Sequence, residues 1–186
     1  LGAPGVVVLG LRLEVVGVAL LTWVVAAQAS IWLVTGALVI YGVGLGLASA
    51  QLTSTVLGDI PEESSGSGSA MQSTVRQLGS ALGAAIAGSA LGAAMSRNIP
   101  DAMASVGGVP ADVRDGLAEA TRSSAGSVIG RLREASPDDP LVAPLESARD
   151  AVVDQLSAGF AHSAAWSIGS SALLLVLGLL GSVMVR

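Results

Sequence analysis

Three ionisable residues stand where the surrounding sequence has almost no charge, and they define what chemistry this chain could carry. Arg76, in QSTVRQLG, is the only charge between Glu63 and Arg97. Arg12 and Glu14 stand together in GLRLEVVGVALL. An arginine in an apolar helix has two uses: its stem can carry the guanidinium back to the headgroups, or the group can pair with carbonyls or an acid of a neighbouring helix. Both readings stay open for Arg76. A carboxyl in such a helix can exchange a proton or meet a cation. A helix that begins later would leave Arg12 and Glu14 at the interface, and that reading stays open too. The two are about 200° apart on a helix and do not pair with each other.

Arg76 belongs to a patterned segment. Gly79 to Ala94 reads GSALGAAIAGSALGAA, with GSALGAA written twice, nine residues apart. At about 100° per residue, Gly79 and Gly83 lie within about 40° of each other, a small-xxx-small pair. Gly88 and Gly92 form a second pair about half a turn out of phase with the first. Gln72 and Arg76 fall on the first face, so Gln72, Arg76, Gly79 and Gly83 make one stripe. Such a helix is built to be held between two neighbours. Gly42, Gly44 and Gly46, in YGVGLGLASA, are spaced GxGxG inside an apolar helix with no strand before them, which fits helix packing and not a nucleotide loop. Gln51 and the cluster Thr53, Ser54, Thr55 are polar groups within a span that either bond neighbouring helices or line a cavity.

Other chemistry finds little support. His162 is the only histidine and there is no cysteine, so no His- or Cys-based metal cluster is expected. A set of Asp154, His162 and Ser163 would be accidental, and His162 reads better as an interfacial residue. No catalytic set, cofactor site or metal site is expected, and the chain does not read as an enzyme. The net charge of −5 without a basic run argues against nucleic acid.

The elements that must position these groups follow from composition. The chain of 186 residues is 52% hydrophobic and 12% charged, about half the charge of an ordinary soluble domain. With 24 glycines and only 3% aromatics, it reads as a membrane protein rich in close helix contacts, with the lipid bilayer as its partner. From Val15 to Gly58 there are 44 residues without a charge. As one helix they would be ~66 Å long, so the segment must fold back once across a ~30 Å core. The break is expected at Ala26–Ser30, with Trp23 and Trp32 as interfacial anchors. Uncharged runs also cover Gln77–Ser96 and Gln155–Val185. The fold class is therefore all-α and integral to the membrane, with four helices near 5–27, 32–56, 69–95 and 158–185.

Sixteen charges fall between Arg97 and Asp154, together with five prolines. Residues 97–157 are expected to form an extramembrane loop with amphipathic helical pieces. One piece runs from about Ala111 to Glu134, opening on Pro110 and setting Val113, Leu117 and Ala120 on one face. The other starts near Leu145, with Ala148, Val152 and Leu156 at helical spacing, and feeds into the last span. SPDDP at Ser136–Pro140 separates them. Charge alone does not orient the chain, because the positive-inside bias fades in a loop of this length. The chain opens on Leu1 without a basic leader, as expected of a piece of something longer.

With the segments placed, the sequence resembles the C-terminal part of a major facilitator superfamily transporter, of the fourteen-span bacterial drug:proton antiporter type. The resemblance rests on Tyr41 to Leu91. There GVGLGLA, IPEESSGSGSA and VRQLGSALG follow one another as do the family's glycine-rich helix, its short loop of the form v-P-x-e-x-x-G-x-x-S/A-G, and its R-Q-l-G-x-a-l-G. LGAPGVVVLG is similar to the family's entry into span eleven without the usual basic residues, and LSAGFAHSAAW fits the opening of its last span. The resemblance implies that the four helices are spans eleven to fourteen, forming half of the C-terminal lobe. Both termini and the 58–68 loop would be cytoplasmic and the 97–157 loop outside. The implied activity is proton-coupled efflux of amphipathic drugs or metabolites by alternating access, completed by the remainder of the transporter upstream. Arg76 and Gln77 match the family's RQ pair. Ala50-Gln51 stand where the family often has a proline, and Glu14 matches no family position. The alternative is a stand-alone four-helix membrane accessory or pore-forming protein.

Overall fold

The structure, a computed structural model, describes residues 2–27, 29–58, 60–136, 139–140 and 142–184, the side chains at positions 3, 4, 55–57, 62, 146 and 147 excepted. Gln28 of the expected turn, Pro137 and Asp138 of the expected separator, and the side chain of Thr55 lie outside that description. Among the described residues the chain is helical, without a strand: α1 (Ala3–Ala26), α2 (Ile31–Leu57), α3 (Ser65–Ala104), α4 (Ala111–Ser123), α5 (Ser127–Glu134) and α6 (Arg149–Met184). Short 3-10 turns at Glu62–Ser64 and Ala143–Ala148 precede α3 and α6. Four helices, α1, α2, α3 and α6, are long and apolar enough to cross a membrane.

The first two spans end close to where the charge pattern sets them. Ala27 closes α1 and Ser30 caps α2, its hydroxyl accepting from the Trp32 N–H at 3.4 Å. The other two are longer than expected. α3 passes Ser96 and runs on to Ala104 with Pro100 inside it, and α6 begins at Arg149, nine residues before 158. Burial accounts for the first overrun. Proline inside a helix costs about 3 kcal/mol. Met95, Ile99 and Met103 lie on one face of this stretch and are all buried, at roughly 1.5–3 kcal/mol each. The sum favours helix.

The chain forms two compact units. One holds Leu1–Gly88 with Ser167–Arg186, the other Ser89–Trp166. In the first, each helix contributes a membrane-length piece. Ser65–Gly88 of α3 is 24 residues and Ser167–Met184 of α6 is 18, about 36 Å and 27 Å at 1.5 Å per residue. α1 and α2 pack as an antiparallel hairpin through glycine. A Cβ on Gly10 would lie 2.6 Å from the Ala48 nitrogen, one on Gly17 2.6 Å from the Tyr41 nitrogen, and one on Gly44 2.6 Å from the Glu14 nitrogen. Only hydrogen fits at these three positions, so the backbones meet directly. Elsewhere in this unit Ser167 donates from α6 to the Ala87 carbonyl of α3 at 2.7 Å.

The second unit has its own apolar core. Met95, Ile99 and Met103 gather with Leu117, Leu132, Leu145, Val152 and Leu156. The rows expected in the charged segment thus face inward, and Val113, Ala120 and Ala148 pack against the same core. The single piece expected from Ala111 to Glu134 is two helices. The Gly126 N–H bonds the Thr121 carbonyl at 2.8 Å, and Ala125 and Gly126 take left-handed φ values of 49° and 85°, which ends α4. Pro110 sits one residue before α4 as its cap. Arg149 closes α5 by donating to three carbonyls, those of Leu132 (2.9 Å), Arg133 (3.0 Å) and Ala135 (2.8 Å).

Candidate functional site

Arg76 is where the first unit becomes chemically specific. It lines two clefts of about 670 and 660 Å³, each within the ~300–1,000 Å³ usual for small-molecule sites. The first lies between the C-terminal half of α2 and the start of α3. Leu52, Ile60, Met71 and Val75 give it apolar walls, and Ser49, Thr53 and Gln72 give it polar points. Gln72 donates to the Thr53 hydroxyl at 3.5 Å, joining the two helices. The second cleft takes Val18 from α1, Leu38, Tyr41 and Leu45 from α2, Arg76, Gly79, Ser80 and Gly83 from α3, and Ser171 and Leu174 from α6. The stripe Gln72, Arg76, Gly79, Gly83 is thus the face that α3 turns to the two clefts. Arg76 is exposed, and no hydrogen bond or ion pair reaches it from the described residues. An unpaired guanidinium against apolar walls can bind an anionic group or stack on a planar ring.

The remaining candidates separate clearly. Gln77 is exposed and lines neither cleft. Gln51 is half-buried, and its carbonyl and side-chain oxygens accept from Ser54 at 2.9 and 3.3 Å. Glu14 is 5% exposed, whereas Arg12 on the same helix is exposed. A Cβ on Gly42, Gly46, Gly79, Gly83, Gly88 or Gly92 would meet nothing within 4 Å. Among the described residues the close glycine contacts of α1 and α2 are instead at Gly10, Gly17 and Gly44. His162 is exposed, while Ser163 is buried, accepts from Asn98 at 3.1 Å and donates to the Gly159 carbonyl at 2.8 Å. Its hydroxyl is taken up in helix packing. Among the described residues no three His, Asp or Glu gather at one place.

Sequence reading passed over the contact row of Gly10 and Gly17, seven residues apart on α1, opposite Tyr41, Gly44 and Ala48. The spacing was the available signal. It was masked by the more conspicuous repeat on α3.

Over 75 residues, which are 40% of this chain and 16% of the other, the sequence is 37% identical to the riboflavin transporter RibZ of Clostridioides difficile (strain 630). The chain therefore aligns with only a small part of that relative's length. No protein-family model matches it, and no solved structure matches it. Four membrane-length apolar helices and a partial likeness to a membrane transporter make this a membrane protein.

Proposed function

We propose that this chain is the C-terminal membrane part of a major facilitator transporter of the fourteen-span drug:proton antiporter type, exporting amphipathic compounds in exchange for protons. The observation that carries the reading is the 37% identity over 75 residues with a protein named as a riboflavin transporter. The two clefts sharing Arg76 support it: apolar walls with a few polar points suit a planar amphipathic molecule, and a cation at their common edge suits its polar end. In this reading the chain supplies one wall of the transport path and the remainder of the transporter supplies the rest. Its ends and the 58–68 turn face the cytoplasm, the 97–157 segment lies outside the cell membrane, and no cofactor or covalent step is involved.

The test uses the full gene product in lipid vesicles, with riboflavin and ethidium as probes and a pH gradient as driving force. Flux of either probe is expected. Arg76→Ala is expected to weaken riboflavin binding about tenfold or more, since a hydrogen bond to a charged group contributes roughly 1.5–3 kcal/mol and ~1.4 kcal/mol is tenfold. It is expected to leave binding of ethidium, itself a cation, no weaker. No flux of either probe sinks the proposal. Unchanged riboflavin binding in Arg76→Ala removes that residue from the path.

A further inference from the structure

Glu14 is a buried carboxyl to which the transport reading gives no task. It lies nine residues into the span that begins at Gly5, about 14 Å along the helix at ~1.5 Å per residue. That is near the middle of a hydrocarbon core about 30 Å thick. Gly10 and Gly17 flank it on the face that meets α2, and its backbone nitrogen is the atom a Cβ on Gly44 would strike. Contact is backbone to backbone, and Glu14 as a whole is 5% exposed, which leaves its carboxyl little of the water an ionised carboxylate requires. No hydrogen bond or ion pair reaches the carboxyl from the described residues.

The groups able to compensate a charge there are few. α2 has no Asp, Glu, Lys, Arg or His, and its one titratable residue is Tyr41, whose backbone packs on Gly17. Arg12 is exposed, about 200° round the helix from Glu14. Arg76 is the only charge on the α3 piece of this unit, and Ser167–Met184 of α6 has none. A metal cation would need several oxygen ligands, and no cluster of acids gathers among the described residues. A proton needs one carboxyl.

We propose that Glu14 is a proton-binding site at the α1–α2 contact, a neutral carboxylic acid while the two helices touch and a proton donor once water enters between them. As the point where a pH gradient acts on transport, it rests on the function proposed above; as a protonation site it stands without it.

Infrared difference spectra of the membrane-reconstituted protein against Glu14→Gln, near neutral pH, decide between the two states. The expected result is a protonated-carboxyl C=O stretch present in the unaltered protein and lost in the variant. A difference confined to carboxylate bands overturns the proposal. Should Glu14→Gln not fold, a lipophilic carbodiimide is applied to the unaltered protein and the adduct located by mass spectrometry. Modification of Glu14 that falls as pH rises supports the site, and an unmodified Glu14 overturns it. Flux is read beside this. Loss of pH-gradient-driven riboflavin flux in Glu14→Gln is expected, and unchanged flux overturns the coupling role. An unaltered protein with no flux sinks the transport reading and leaves the spectra to judge the protonation site.

Discussion

Gly44→Ala gives the sharpest test of how α1 and α2 are held. A Cβ there would lie 2.6 Å from the Glu14 nitrogen, 2.7 Å from the Gly10 carbonyl oxygen and 3.0 Å from the Leu13 Cβ. Ordinary contact begins at 3.4 Å, so the helices must part by several tenths of an ångström at their crossing. The atoms struck are backbone and cannot rotate away. Overpacking of this kind costs about 1–3 kcal/mol. Gly42→Ala and Gly46→Ala supply the contrast two residues to either side. Both positions are open, and alanine is preferred over glycine in a helix by up to ~1 kcal/mol, so neither should destabilise. The chain has no cysteine, so Leu9→Cys and Leu52→Cys, both exposed, can carry a donor–acceptor pair. Titration with SDS in mixed micelles then reads hairpin opening as a growing distance. Gly44→Ala should open at a lower SDS fraction, with Gly42→Ala and Gly46→Ala at or above the unaltered protein. Equal shifts for Gly42→Ala and Gly44→Ala would refute the contact row.

Two further predictions concern the second unit. Arg149→Ala removes three bonds to the end of α5 and should lower its local stability by about 2 kcal/mol, read as faster amide exchange across Val128–Glu134. Arg149→Lys should recover only part, because one ammonium cannot reproduce the guanidinium fork; unaltered exchange in Arg149→Ala would count against the clamp. Gly126→Ala combines a φ of 85° with a Cβ only 2.7 Å from the Phe160 ring, and should destabilise the unit by roughly 1–3 kcal/mol in thermal unfolding. Adding Phe160→Leu should return the steric share alone, and full recovery would show that backbone conformation contributes nothing.

What the sequence made legible is what charge and hydropathy control. A 44-residue uncharged run cannot be one span, so the turn near Ala27–Ser30 and the two helices around it were readable from length alone. The inward rows Val113–Leu117–Ala120 and Leu145–Val152–Leu156 were readable from helical spacing. Helix ends in the charged segment were not. Arg97 and Pro100 read as a stop, yet α3 continues because Met95, Ile99 and Met103 find a core, and that core is assembled from α4, α5 and α6, distant in sequence. The break at Ala125–Gly126 was hidden for a related reason: a glycine in an amphipathic pattern gives little sign of its φ. In the candidate site, the stripe Gln72–Arg76–Gly79–Gly83 was visible as a helix face, while which neighbours would line the clefts beside it was not. The glycine pattern was legible in part: Gly44 of the GxGxG run does meet α1, while Gly10 and Gly17 opposite it carried no repeat to mark them.

Glu14 and the glycine row are one problem seen from two sides. Gly10, Gly17 and Gly44 bring the two backbones into contact around Glu14, which is left 5% exposed. A charge at mid-helix costs roughly 2.5–3.5 kcal/mol on insertion scales, comparable to the 1–3 kcal/mol expected from disturbing the contact itself. An ionised Glu14 would therefore push against the α1–α2 contact by drawing water toward it. A protonated Glu14 removes that push. Gly44→Ala, by admitting solvent at the crossing, should then shift the Glu14 carboxyl band toward the carboxylate at a given pH, whereas Gly42→Ala should leave it in place. A band that ignores Gly44→Ala while the hairpin loosens would separate the two, and would mean that something other than the α1–α2 contact keeps water from Glu14.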